Sequence, residues 1–329
     1  MKTLFIYRDK HSKAHNFRNI FSKNLCKLDF GFFLLSLKTF SNLKTLSLKE
    51  FLLDEQNEVF DHIIIDVKNG LDFPCIQFLP LLAKKIKCKT SLFIGFDRPF
   101  NYLDINNYEK YLDVKTYIIP NLLIDFGRYR LPLSLNNKLF STYYGFGFLD
   151  IGYSFLEKKF LVSEIESEKE ISVFYSGLKT KTKISRSTII NELINQESIK
   201  NKKIIYYEEK DKANNMLSPK KYIEYSRKSK INLVLSGNKE NIPYRLYEML
   251  VLKNFFLIDP NFLNYKVSEN FETCLDFVFQ NSDELNDKIN YFLNNDYELM
   301  KLKNKQNSLF RKFYNPFEHG KLILKRILE

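Results

Sequence analysis

The sequence predicts an α/β protein of two domains, each built on a parallel sheet, and three observations carry that expectation. Short apolar runs of strand type alternate with amphipathic helical runs along most of the 329 residues. Residues 231–258 compress one such unit into a single stretch: an apolar strand at 231–235, a polar turn at Ser236-Gly237-Asn238, a short helix, and a second apolar strand at 255–258. Between two such series, residues 161–169 are charged and lack any apolar period, which marks a linker and sets the domains at 1–165 and 166–329.

In the first half, strands are expected at 3–7, 30–37, 61–66, 91–96 and 114–119, with helices at 15–28, 48–53 and 74–86. The run Asp61-His62-Ile63-Ile64-Ile65-Asp66 reads as a strand buried on both faces, as parallel sheets require. Residues 121–153 are aromatic and irregular and receive no assignment. No glycine fingerprint follows the first strand, which disfavours a bound dinucleotide. His11, His15, Asp66 and Asp97 all follow strands, where a general base would project; of these, Asp97 is the catalytic candidate.

In the second half, 171–175 and 203–207 read as strands and Ser176-Gly177-Leu178-Lys179 as a tight turn, followed by a basic stretch with Lys183 and Arg186 at a helix start. Backbone N–H groups at a helix start suit phosphate. Ser218-Pro219 opens a helix to about residue 227, serine as cap and proline in the first turn. In the helix of the 231–258 unit, Leu246, Met249 and Leu250 are spaced to bury one face, while Tyr244, Arg245 and Glu248 lie within a turn of one another. A cation at a helix start opposes the macrodipole, so the position of Arg245 makes most sense opposite an anion. In open sheets of this kind ligands sit beyond the carboxyl ends of the strands, which places residues 236–244 at the expected site. Residues 273–279 are a further strand candidate, 282–293 an amphipathic helix, and 296–327 a long helical pattern broken at Asn315-Pro316.

Composition narrows the function classes. The four cysteines show neither CxxC spacing nor a neighbouring histidine pattern, so no zinc site or disulfide framework is indicated and a reduced, cytoplasmic setting is expected. The longest apolar stretch is too short to cross a bilayer. A net charge of +12 and a pI near 9.2 are compatible with nucleic acid, an anionic membrane surface or small anionic substrates. Without a zinc finger, an aromatic RNA-binding strand or an arginine-rich arm, nucleic acid is the least supported of the three.

Glu240, seven intervening residues and Glu248 resemble the paired-glutamate motif of retaining glycosyltransferases with the GT-B fold, with Ile242, Pro243 and Tyr244 standing where that family has glycines. Tyr244-Arg245-Leu246-Tyr247-Glu248 before an apolar strand also resembles the arginine-x-x-glutamate helix of spore-protein-like and exostosin-like glycosyltransferases. The resemblance implies two Rossmann-like domains facing a central cleft, an acceptor domain first and a nucleotide-sugar donor domain second, with a C-terminal helix crossing back to the first. It further implies Glu240 near the donor sugar, Glu248 on the ribose, Arg245 with Lys183 or Arg186 on the diphosphate, and Ser176 and Gly177 in a small-residue turn beside the phosphates. It implies no cofactor beyond the nucleotide sugar and no essential metal, there being no DxD-like motif at a strand end. The acceptor expected is a glycan or glycolipid, in surface polysaccharide or lipopolysaccharide synthesis, with peripheral contact to an anionic membrane. The competing expectations are a noncatalytic basic module that docks on an anionic polymer or surface, and a phosphorylase or epimerase on the same fold.

Overall fold

The structure is a computed structural model of the chain, and it describes residues 1–7, 37–38, 40–54, 58–66, 75–93, 105–120, 138–142, 168–178, 184–207, 217–236, 245–264, 274–309 and 316–328. The chain divides into two compact units, Met1–Ile151 with Asn315–Glu329, and Gly152–Tyr314. The Asn315-Pro316 break in the terminal helical pattern is therefore also where the chain passes from the second unit into the first.

The first unit carries β1 (Lys2–Tyr7), β2 (Asn42–Ser47), α1 (Leu48–Leu53), β3 (His62–Asp66), α2 (Cys75–Lys85), β4 (Lys89–Phe93), α3 (Ile105–Tyr111), β5 (Val114–Pro120) and β6 (Leu139–Thr142). Every pairing in its sheet is parallel, in the order β2-β1-β3-β4-β5-β6. All five residues of β3 are buried, which is why Ile63, Ile64 and Ile65 at its centre form an unbroken apolar run rather than an alternating one. The edge strand β2 is not expected from the sequence. Its Asn-Leu-Lys-Thr-Leu-Ser is half-buried and only weakly apolar, as an edge position allows. The helix α1 starts where Ser47 and Glu50 cap each other: the Glu50 amide donates to Ser47 Oγ at 3.1 Å and the Ser47 amide to Glu50 Oε2 at 2.6 Å.

The second unit carries β7 (Ile171–Leu178), α4 (Ile184–Asn195), β8 (Lys203–Tyr207), α5 (Pro219–Lys228), β9 (Ser229–Val234), α6 (Arg245–Val251), β10 (Phe256–Ile258), α7 (Ser282–Asn294) and α8 (Asp296–Leu309). Its sheet is parallel throughout, in the order β10-β9-β7-β8. Leu246, Met249 and Leu250 are buried, so the expected face of α6 is the packed one. Ser218 caps α5 with Pro219 in the first turn, as the sequence predicts. At Phe256 the outer edge of β10 is met by a side chain of α8: Gln306 accepts from the Phe256 amide at 3.3 Å and donates to the Phe256 carbonyl at 2.8 Å. Gln306 thereby takes the place of one rung of a missing strand. The strand expected at 273–279 is instead a 3-10 turn, Cys274–Phe277, with Val278 making a single parallel bridge to Ile258. The apolar signal there comes from Phe277, Val278 and Phe279, all fully buried, and not from a ladder.

The last helix, α9 (Pro316–Leu328), belongs to the first unit and packs on its sheet. Ile323 and Ile327 are buried, and the Arg326 carbonyl accepts from Thr116 Oγ1 of β5 at 3.4 Å. Among the described residues no helix is long and apolar enough to cross a membrane.

Candidate functional site

Strand order in the second unit fixes where a ligand belongs. From β7 the chain runs outward through α4 to β8, and from β9 it runs outward the other way through α6 to β10. Because parallel crossovers are right-handed, α4 and α6 lie on opposite faces of the sheet. The order therefore reverses between β7 and β9, and the carboxyl ends of those two strands form the topological switch point, where open α/β sheets hold their ligands.

Two arginines meet there from opposite faces. Arg186, the third residue of α4, sends Nη2 to the carbonyls of Leu235 (3.4 Å) and Ser236, just past the end of β9. Arg245, the first residue of α6, donates from Nη2 to the Ser176 carbonyl near the end of β7 and from Nε to the Tyr222 hydroxyl at 3.1 Å. Each helix thus places a guanidinium over the strand that precedes the other helix. The Arg245 guanidinium lies 4.9 Å from the ring centre of Tyr175 and 5.8 Å from that of Tyr222, a stacked cation held by two aromatic faces. Burial pushes the Tyr207 phenol, at the end of β8, above its ordinary pKa against the opposing pull of the Arg245 charge. Both arginines carry N–H groups in a rigid fork suited to phosphate oxygens.

Below the arginines the floor is tied by Asp259, the residue after β10. Its buried carboxylate accepts from the Ser236 amide, from Ser236 Oγ at 2.6 Å and from the Asn261 amide at 3.0 Å. Three donors on one carboxylate fix the point where the chain leaves β9 toward residues 237–244. In the sequence Asp259 reads only as a strand end. Its pairing with Ser236, 23 positions away, has no local signal.

Ser176 and Gly177 correct the sequence reading. The expected tight turn is absent: both residues lie inside β7, paired with Ile205 and Tyr206 of β8, and the strand continues to Leu178. The physical reason for the glycine is steric. A Cβ on Gly177 would fall against the Tyr175 hydroxyl and 2.7 Å from the Tyr175 Cζ. Tyr175 is 1% exposed, so the ring has little room to yield. Gly177→Ala is accordingly expected to lower stability by about 1–3 kcal/mol through overpacking, measured by urea denaturation; an alanine variant as stable as the parent would show that the ring moves freely.

Arg186, Arg245, Ser176 and Gly177 are thus gathered at the ends of β7 and β9. Glu248 lies on α6, three residues after Arg245, with its side chain outside the described residues, and Asp97, Lys183, Glu240 and Tyr244 also lie outside them. So do His11 and His15, while Asp66 is buried at the carboxyl end of β3 in the first unit. Among the described residues no group of three or more His, Cys, Asp or Glu side chains is placed to hold a metal ion.

No family model matches the sequence, and comparison with curated proteins finds no relative. Solved structures do resemble it. A DNA-modifying β-glucosyltransferase, studied with and without uridine diphosphoglucose, aligns over 99% of this chain and 100% of its own with a TM-score of 0.57 at 14% identity. The T4 phage enzyme of that type in complex with UDP and Mn2+ aligns over 99% of both chains with a TM-score of 0.51 at 14% identity. Anabaena HepE in complex with UDP aligns over the whole of both chains with a TM-score of 0.52 at 10% identity. The chain therefore has the α/β fold, with parallel sheets, of these GT-B glycosyltransferases.

Proposed function

We propose that the protein is a glycosyltransferase of GT-B type that takes a sugar from a nucleotide-sugar donor held in the second unit. The observation that carries this reading is the convergence of Arg186 and Arg245 on the carboxyl ends of β7 and β9, in a fold whose solved examples include enzymes complexed with UDP or uridine diphosphoglucose. Glycosyl transfer must stabilise a diphosphate leaving group while the sugar becomes cationic at its anomeric carbon. Preplaced guanidinium donors supply that stabilisation without reorganising during the reaction. In this reading Arg186 and Arg245, with Lys183, bind the diphosphate, Glu248 the ribose and Glu240 the donor sugar, and Asp97 is the candidate base. The small-residue turn at which the sequence resemblance placed the phosphates is replaced in this role by the arginine pair.

The acceptor is proposed to be a glycan or glycolipid, and transfer to proceed on basic side chains without an essential metal. A screen of nucleotide-sugar hydrolysis, with and without Mn2+, tests the reading. Release of nucleoside diphosphate from one sugar nucleotide is the expected result, and the same assay with added glycolipid or duplex DNA distinguishes acceptors. No turnover of any nucleotide sugar, together with tight binding to an anionic polymer, would replace the enzyme by a noncatalytic module.

A further inference from the structure

Tyr175 stands at the arginine site with a hydroxyl that the contacts described above leave without a role. Its ring lies along β7 toward the carboxyl end of the strand, so that the hydroxyl sits over Gly177, two residues further on. The side chain is 1% exposed, packs edge to face on Tyr206 with ring centres 6.3 Å apart, and carries the Arg245 guanidinium on its face. Among the described residues its hydroxyl has no hydrogen-bond partner. A buried hydroxyl without a partner is costly to keep. Phenylalanine would fill the same space without that cost, and the neighbouring Tyr206 shows the usual solution, its hydroxyl lying 2.8 Å from Ser187 Oγ.

The surroundings define what the missing partner is. The hydroxyl stands at the carboxyl end of the strand next to the switch point, on a ring whose face carries a guanidinium, over a residue whose missing side chain leaves that ring its room. An acceptor that comes there meets positive charge first, so it is an anionic oxygen. We propose that the Tyr175 hydroxyl is a binding group of the donor site, donating to a phosphate oxygen of the nucleoside diphosphate, and that Gly177 is a glycine in order to admit this ring. The assignment rests on the nucleotide-sugar reading above. Under it the diphosphate is recognised by two guanidiniums and a phenol together, and the phenol stands on the rigid central strand rather than on a loop.

The test is calorimetric titration of the full chain and its Tyr175→Phe variant with UDP, ADP and GDP, and with the corresponding nucleosides, beside a thermal melt of each protein without ligand. The variant is expected to melt at or above the parent temperature, since it loses an unsatisfied hydroxyl. It is expected to bind the preferred diphosphate about tenfold more weakly, the worth of one hydrogen bond to a charged group, with the nucleoside affinity unchanged. If the parent binds a diphosphate and the variant binds it equally well, Tyr175 is no ligand and the transferase reading stands. A variant that melts several degrees lower shows a structural partner for the hydroxyl and overturns the assignment in the same way. Should the parent bind none of the three diphosphates, both the assignment and the reading beneath it fall.

Discussion

Arg245→Ala is expected to weaken binding of the nucleoside diphosphate by about 100-fold and to abolish the rise in melting temperature that the ligand gives the parent protein. The magnitude follows from the chemistry of the lost group. A guanidinium offers two parallel N–H donors to a phosphate, and hydrogen bonds to charged partners contribute about 1.5–3 kcal/mol each, so two of them at the low end, about 3 kcal/mol together, correspond to a little over 100-fold. The cation also sits at the first residue of α6, where the helix macrodipole opposes it, and it is retained there by the Ser176 carbonyl, the Tyr222 hydroxyl and the face of Tyr175. Those contacts complicate the measurement, because alanine also leaves the Ser176 carbonyl short of a donor and lowers the melting point of the unliganded variant. The quantity to compare is therefore the ligand-induced shift at equal ligand concentration, which reports affinity for the native state. Arg245→Lys restores charge without the fork and recovers only part of the affinity. An alanine variant that binds the diphosphate within threefold of the parent would remove Arg245 from the site and with it the central support for the transferase reading.

How far this site is legible in the sequence depends on the range of the interactions. The strands and helix of the 231–258 unit are legible because each is specified locally: the apolar run of β9, the buried Leu246, Met249 and Leu250 of α6, and the apolar β10. Ser218-Pro219 is legible for the same reason, a cap being a contact across three residues. What escapes is set by partners distant in sequence. The carbonyl acceptors of Arg186 are 49 and 50 positions away, and that of Arg245 is 69. Gly177 shows the same limit from the other side. A glycine after a serine at the end of an apolar run reads as a turn, and only the ring of Tyr175 lying over it explains why it sits in a strand. Arg245 stands out all the same, because a cation at a helix start is a local anomaly. In the first unit β2 gives no signal, since an edge strand needs only a half-buried face, and β6 lies within the aromatic stretch that receives no assignment.

The first unit carries its own pH dependence, and His62 is its source. The imidazole is 2% exposed at the start of β3, its Nε2 lies 2.8 Å from Ser91 Oγ on β4, and Lys89 stands nearby. Burial, aided by the Lys89 charge, pushes its pKa down from 6.5 to about 4. The folded protein therefore holds the ring neutral while the unfolded chain takes up a proton below pH 6.5. Between those values the unfolded state binds more protons, so stability is full above about pH 6.5, declines as the pH falls, and levels off for this group below about pH 4. With each pH unit between the two values worth about 1.4 kcal/mol, the loss amounts to about 3 kcal/mol by pH 4. Carboxylates such as Glu58 and Glu109, whose pKa values are lowered in the fold, also lose stability in acid and overlap the lower end of this range. His62→Gln separates the contributions, since a glutamine amide can still reach Ser91 but does not titrate. Urea denaturation of both proteins from pH 7 to pH 4 should show the parent losing about 3 kcal/mol more than the variant, and the imidazole proton resonance of His62 should stay unshifted until the pH approaches 4. Parallel stability curves for the two proteins, or an imidazole that titrates near its ordinary value, would mean that β3 opens to solvent and that the fully buried strand is not the centre of this sheet.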